Sequence, residues 1–272
     1  MLHNAGFPPD PIPEFWSPVF PCPTNLMRSP PESFGCQKVI FEGLCNVTLI
    51  NPIGAKYVYS DLSMITLMYV VGSLAKEFNY VSVNELRKNC YNSSNTVENY
   101  QCYFEAYLDK YIFQALKMKN TGFLPYESRW SDCAPTWNIT GDYRVGVIQG
   151  QVSDGNAFVM GGISGHAGIF SNLEDTYNFM IRQMYPPAEP DLFGLNATTL
   201  AFFHKEYNHS QSSRALGWNT NDPTVFDYGS YFPLFEFFLN FFFSNRLGIG
   251  LWKSPFTTNL YAYWLYWNTH VW

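Results

Sequence analysis

The stretch Gly54-Ala55-Lys56-Tyr57-Val58-Tyr59-Ser60-Asp61-Leu62 stands at the head of a clear helical pattern. Ser60 or Asp61 can cap a helix start, because a short polar side chain accepts from the orphan N–H groups of the first turn. Leu62, Ile65, Met68, Leu74 and Ala75 then recur near helical spacing, which predicts a helix from residue 60 to about 77. Downstream, Ser82-x-x-Glu85 has the form of a capping box and can open a short helix. Phe104, Leu108, Tyr111, Ile112 and Ala115 mark one face of a second long helix, closed by Gly122 and Pro125. Arg144 to Val152 alternates weakly, like a strand, and Gly161 to Gly168 reads as a glycine-rich turn. Ser171-x-x-Glu174 then starts a helix through about Met184, ended by Pro186, Pro187 and Pro190. Upstream, nine of the 18 prolines fall between Pro8 and Pro31, so that segment is extended and irregular.

The 272 residues allow one large domain or two small ones, and a hydrophobic content of 47% is enough to bury a core. A net charge of -6 without a Lys/Arg cluster argues against nucleic acid as a partner. A membrane span is not expected, because no run of 18 or more apolar residues occurs.

Six cysteines, at 22, 36, 45, 90, 102 and 133, allow up to three disulfides, whose pairing the sequence leaves open. They contain no C-x-x-C, so a metal site has no support, and with neither a GxGxxG nor a P-loop in the chain no cofactor is expected. Five glycosylation sequons begin at Asn46, Asn92, Asn138, Asn196 and Asn208. Even cysteines and excess sequons point to a secreted or lumenal protein, with a cytoplasmic one as the alternative. Met1-Leu2-His3-Asn4 offers no signal-peptide pattern, so any signal segment is expected upstream of Met1.

Chemistry-bearing motifs are few. Ser73-Leu74-Ala75-Lys76 has the S-x-x-K spacing of a serine–lysine couple, but near the end of an apolar helix Lys76 reads more simply as a solvated cation favoured by the helix dipole. Gly162-Ile163-Ser164-Gly165-His166 only superficially resembles a nucleophile elbow, since His166 replaces its last glycine. The segment around Tyr59-Ser60-Asp61 resembles the Y-x-N element, P-G-x-x-[FY]-x-Y-S-[ND], of class C beta-lactamase-like and penicillin-binding-protein-like serine hydrolases. Leu2-His3-Asn4-Ala5-Gly6-Phe7 looks like that family's L-x-H-T-S-G-L. Phe113-Gln114-Ala115-Leu116-Lys117-Met118 with Thr121 and Phe123 is similar to F-x-P-L-G-M-x-x-T-x-F. Val152 to Ala157 and Gly161 to Ser171 resemble V-H-D-x-N-A and G-G-x-x-G-H-A-G-L-F-S, and Ala215-Leu216-Gly217-Trp218 matches A-L-G-W. The resemblance covers roughly residues 2 to 218, in order.

The resemblance implies an acyl-enzyme hydrolase of the D-alanyl-D-alanine carboxypeptidase, beta-lactamase or esterase type, acting on a small-molecule or peptide-like acyl substrate. It makes Tyr59 the proton-shuttling base, effective only if a nearby ammonium lowers its pKa. Asp61 stands where most relatives have Asn, and an ionised Asp cannot donate a hydrogen bond. His166 would lie near the active-site rim as a substrate-binding candidate, or simply in a tight turn, while Asp154 and Asn156 can serve as turn residues. The family's nucleophile lies upstream of L-x-H-T-S-G-L, so this chain is expected to be a fragment, inactive as given. The alternative is a catalytically dead binding or scaffolding module.

The implied fold is α+β, beta-lactamase/transpeptidase-like, with a predominantly helical middle and an incomplete antiparallel sheet. Residues 1–232 form the partial domain. Residues 233–272 are an aromatic-rich tail, with 14 aromatics in the 39 positions from Leu234, and are expected to be mistranslated. Shifting Ala262-Tyr263-Trp264-Leu265-Tyr266-Trp267-Asn268 by one base permits His-Thr-Gly-Tyr-Thr-Gly-Thr, the family's missing strand motif.

Overall fold

A computed structural model describes residues 1–22, 34–91, 100–136, 138–140, 144–186 and 195–220. The tail from 233, including the shifted heptapeptide, and the sequon at Asn92 lie outside the described residues. Seven α-helices are described: α1 (Gln37–Cys45), α2 (Asp61–Glu77), α3 (Lys88–Tyr91), α4 (Tyr100–Leu108), α5 (Gly155–Val159), α6 (Leu173–Met184) and α7 (Ala197–His204). Two short strands, β1 (Gly122–Phe123) and β2 (Ile169–Phe170), pair antiparallel with Gly122 opposite Phe170.

The central element is α2. Ser60 caps it as expected, its hydroxyl accepting from the Ser63 N–H at 3.2 Å while donating to the Pro8 carbonyl at 2.7 Å. Leu62, Ile65, Met68 and Tyr69 bury one face against Phe15, Ile40, Val159 and Met160. Further along, Ala75 joins a second core with Val81, Leu86, Tyr103, Phe123 and Ile163. The two apolar clusters supply most of the hydrophobic driving force, at about 25 cal/mol per Å² of apolar surface removed from water. Gly72 lets α4 approach closely, since a Cβ there would run into the backbone carbonyl of Tyr100.

Several local expectations hold with adjustments. The Ser82–Glu85 capping box forms, the Glu85 carboxylate accepting from the Ser82 N–H at 2.7 Å, but it opens a 3₁₀ turn, Val83–Glu85. The second long helix begins as α4 and widens into a π turn over Asp109–Phe113. The helix expected from Ser171 starts one residue later, because the Asn172 side chain accepts from the Asp175 N–H at 2.9 Å. The strand expected over Arg144 to Val152 is absent among the described residues. The segment forms an isolated bridge between Ile139 and Gly146, and Ile148 donates to the Thr136 hydroxyl at 2.9 Å while accepting from the Thr136 N–H at 2.8 Å. Farther along, the Arg144 guanidinium donates to the carbonyls of Val152 and Ser153 at 2.7 and 2.6 Å. Helices α1 and α7 were not apparent from periodicity.

Cys22 pairs with Cys36 and Cys90 with Cys102, at Cα separations of 5.7 and 6.3 Å, while Cys45 and Cys133 are free thiols. Two disulfides fit an oxidising compartment. Among the described residues no helix is long and apolar enough to cross a membrane.

Candidate functional site

Four separate stretches meet at the N-terminal end of α2. Residues 3 to 9 run beside residues 50 to 61. Val58 N–H donates to the His3 carbonyl at 2.8 Å, Gly54 N–H to Asn4 at 2.7 Å, Ile50 N–H to Gly6 at 2.8 Å and Asp61 N–H to Pro9 at 2.8 Å. His3 holds a left-handed backbone, φ 53°, and its Nδ1 accepts from the Ser60 N–H at 3.1 Å. Burial, then the charge of Arg214, pushes His3 down to about 4, so it stays neutral and keeps Nδ1 as an acceptor.

Tyr59 is 52% exposed, so it is not sealed in the interior. Its ring stacks on His3 with centroids 4.8 Å apart, and the Arg214 guanidinium stands 5.7 Å from the ring centroid. Burial and then the neighbouring Asp61 charge push the phenol up, against the opposing charge of Arg214. The serine–lysine spacing at residues 73–76 makes no couple. Ser73 Oγ donates to the Val70 carbonyl at 2.9 Å, and Lys76 Nζ lies 5.4 and 5.6 Å from the ring centroids of Tyr100 and Tyr103.

The glycine-rich turn brings a polar network under Asp61. Gly165 has no room for a Cβ, which would strike the Met64 carbonyl of α2, so the turn packs directly on the helix backbone. Buried Gln37 and Gln101 fasten the same region, donating to the Met160 carbonyl at 3.1 and 2.5 Å. The His166 side chain is only 3% exposed. Its Nε2 meets Asp154 Oδ1 at 3.0 Å and its Nδ1 meets Ser164 Oγ at 2.8 Å, while Ser164 Oγ donates to Met160 Sδ at 3.4 Å. Burial pushes His166 down, but the charge and hydrogen bond of Asp154, with Asp61 and Asp10 behind it, win and raise it. Burial conversely pushes Asp154 up, and His166, the Ala157 N–H and Arg144 together hold it low. Both shifts favour the imidazolium–carboxylate form of the pair. Each imidazolium nitrogen then donates, so Ser164 accepts from His166 and spends its own proton on sulfur, which is the reverse of an activated nucleophile.

Asp61 completes the cluster. Its carboxyl lies within 4.8 Å of the facing atoms of Asp154 and His166. Both ring nitrogens of His166 are engaged and Asp154 Oδ1 also accepts from the Ala157 N–H at 2.7 Å, so hydrogen bonds satisfy these two members of the cluster. Burial first, and then Asp154, Asp10 and Glu14, push Asp61 up to about 6, with His166 opposing.

The sequence singled out Tyr59, Asp61 and His166, and the structure gathers all three at one end of α2. It adds His3 and Arg214, which flank the Tyr59 ring, and Asp154, which caps α5 and also grips His166. The order of the motifs carried a signal for the first two, since both sit inside or next to matched stretches. The sequon residues are scattered. Asn46 and Asn138 are exposed, Asn208 is exposed and accepts from Ser210 Oγ at 2.7 Å, and half-buried Asn196 caps α7.

No family model matches the chain. Three curated bacterial relatives carry the name "Putative D-alanyl-D-alanine carboxypeptidase". That of Escherichia coli K12 is 27% identical over 181 residues, covering 62% of this chain and 36% of the relative. That of Escherichia coli O157:H7 is 26% identical over 181 residues, with the same coverage. That of Salmonella enteritidis PT4 is 25% identical over 234 residues, covering 81% of this chain and 46% of the relative. The chain thus spans between about a third and a half of the length of these relatives, and its distant similarity to them is to proteins named as carboxypeptidases.

Proposed function

We propose that this chain carries the proton-handling side of a serine beta-lactamase-like hydrolase of the D-alanyl-D-alanine carboxypeptidase type, acting on a peptide-like acyl substrate, within an α+β transpeptidase-like fold. The observation that carries this reading is convergence. The stretches around His3, Tyr59, His166 and Arg214 are far apart in sequence, each resembles or adjoins a family motif, and all meet at one end of α2. The similarity to the bacterial carboxypeptidases supports the same substrate class.

Tyr59 is accessible enough to exchange a proton with a bound substrate, but as a base it needs a cation closer than Arg214. On this reading the acylated serine and its lysine come from outside the described residues, because Ser73 and Lys76 are committed elsewhere. The upward push on the Tyr59 phenol favours a second reading, a binding module that has lost catalysis.

Labelled penicillin or a fluorophosphonate, incubated with the product of the whole gene, separates the two. The hydrolase reading expects a covalent adduct whose formation slows about a hundredfold or more in Tyr59→Phe. Reversible binding with no adduct by mass spectrometry selects the binding module.

A further inference from the structure

The Asp61 carboxyl is placed where its charge is poorly supported. Among the described residues no donor reaches its oxygens, although its own N–H is satisfied by Pro9. Asp154, the cap of α5, has its carboxylate within 4.8 Å of it, and the like charges of Asp10 and Glu14 in the N-terminal segment add to the repulsion. The cations nearby are already committed. His166 is paired with Asp154, Arg144 donates to the carbonyls of Val152 and Ser153, and Arg214 lies over the rings of Tyr57 and Tyr59. Two effects favour the anion, the residual charge of His166 and the positive end of α2, but neither supplies a hydrogen bond.

We propose that Asp61 works as a neutral acid, donating its carboxyl O–H toward the substrate where an asparagine would donate an amide N–H, with the His166–Asp154 pair as the positioning element behind it. A protonated carboxyl pairs one O–H donor with a carbonyl acceptor, one donor fewer than an asparagine side chain but the same side-by-side arrangement of donor and acceptor. The role of this donor toward a substrate rests on the hydrolase reading above; its protonation does not. The proton comes from solvent and returns to it, so no other reactant is needed. The upward push on Asp61 from burial and from its acidic neighbours agrees with the geometry.

Carboxyl-carbon NMR on the aspartate-labelled protein tests the protonation directly. The resonance that vanishes in Asp61→Asn is expected to titrate with a midpoint near 6. Asp10→Asn, at an exposed position that should not disturb folding, is expected to lower that midpoint, and His166→Gln to raise it. A midpoint in the ordinary carboxylate range, near 3.8, overturns the proposal. The acylation rate of the whole gene product supplies a second readout. Wild type should lose about tenfold per pH unit above the midpoint, and Asp61→Asn should lose that dependence. An unchanged pH profile in Asp61→Asn also overturns it. A midpoint near 6 with no acylation at any pH sinks the hydrolase reading alone.

Discussion

The two ends of α2 are held by different physics. Toward its C-terminus the helix packs as apolar surface on apolar surface, with Gly72 against the Tyr100 backbone and Ala75 inside a core of Val81, Leu86 and Phe123. At its N-terminus Leu62 and Ile65 also pack in an apolar core, but groups that can gain or lose protons are added to them: Asp61, His166, Asp154 and neutral His3. Packing of the first kind is indifferent to pH. The second kind is sensitive to pH, and a protein accepts the cost of burying charge there chiefly where charge is used. On the proposed hydrolase reading, this titratable end is the working end of the helix.

The contrast can be broken at either end. Gly72→Ala forces a Cβ into the Tyr100 carbonyl, and urea unfolding should show a loss of about 3 kcal/mol, the same at acidic and neutral pH. A pH-dependent loss would mean that the packed end also senses charge. Asp154→Asn should cost about 2 kcal/mol, less than a fully buried pair because the Asp154 side chain is 32% exposed. Asp154 is held below its ordinary 3.8, so its contribution is present above that value and lost as pH falls through the folded pKa. His166 is held above its ordinary 6.5, so its contribution is present below that value and lost as pH rises through its folded pKa. Thermal melts should therefore show the largest Asp154→Asn deficit between 3.8 and 6.5 and a smaller one well above that window. A flat deficit would remove the ion pair from the account. Lys117→Gly serves as a control away from both ends. Lys117 sits at φ 58° where the resembling motif has glycine, so relief of left-handed strain should add about 1 kcal/mol at every pH.

Much of this was legible in the chain where a single local rule decides. The α2 boundaries followed from Ser60 and the spacing of Leu62, Ile65 and Met68, because capping and burial point the same way there. The Asn172 cap was missed because Ser171 is an equally good acceptor in the alphabet, and only the backbone direction chooses between them. The strand over Arg144 to Val152 failed because alternation records which residues avoid water, whereas its backbone partners, Ile139 and Thr136, reach only Gly146 and Ile148, and the Val152 carbonyl is taken by the Arg144 guanidinium. The site was half legible. Tyr59, Asp61 and His166 stood in recognisable motifs, but Asp154 read as a turn residue and instead caps α5, and its bond to His166 spans 12 positions that no periodicity links. Neutral His3 and the cation over Tyr59 depend on which strands of chain lie side by side, and composition carries no trace of that.

The two disulfides have a consequence for how this chain can vary. Each fixes the ends of the stretch it spans, at sequence separations of 14 and 12, and the cysteines themselves are anchored in the cores. Cross-linking points this far apart removes about 3 kcal/mol of chain entropy from the unfolded state. Variation at these four cysteines should therefore cost more than variation at the free Cys45 and Cys133, because each bonded cysteine sits inside one of the two apolar clusters that pack on α2.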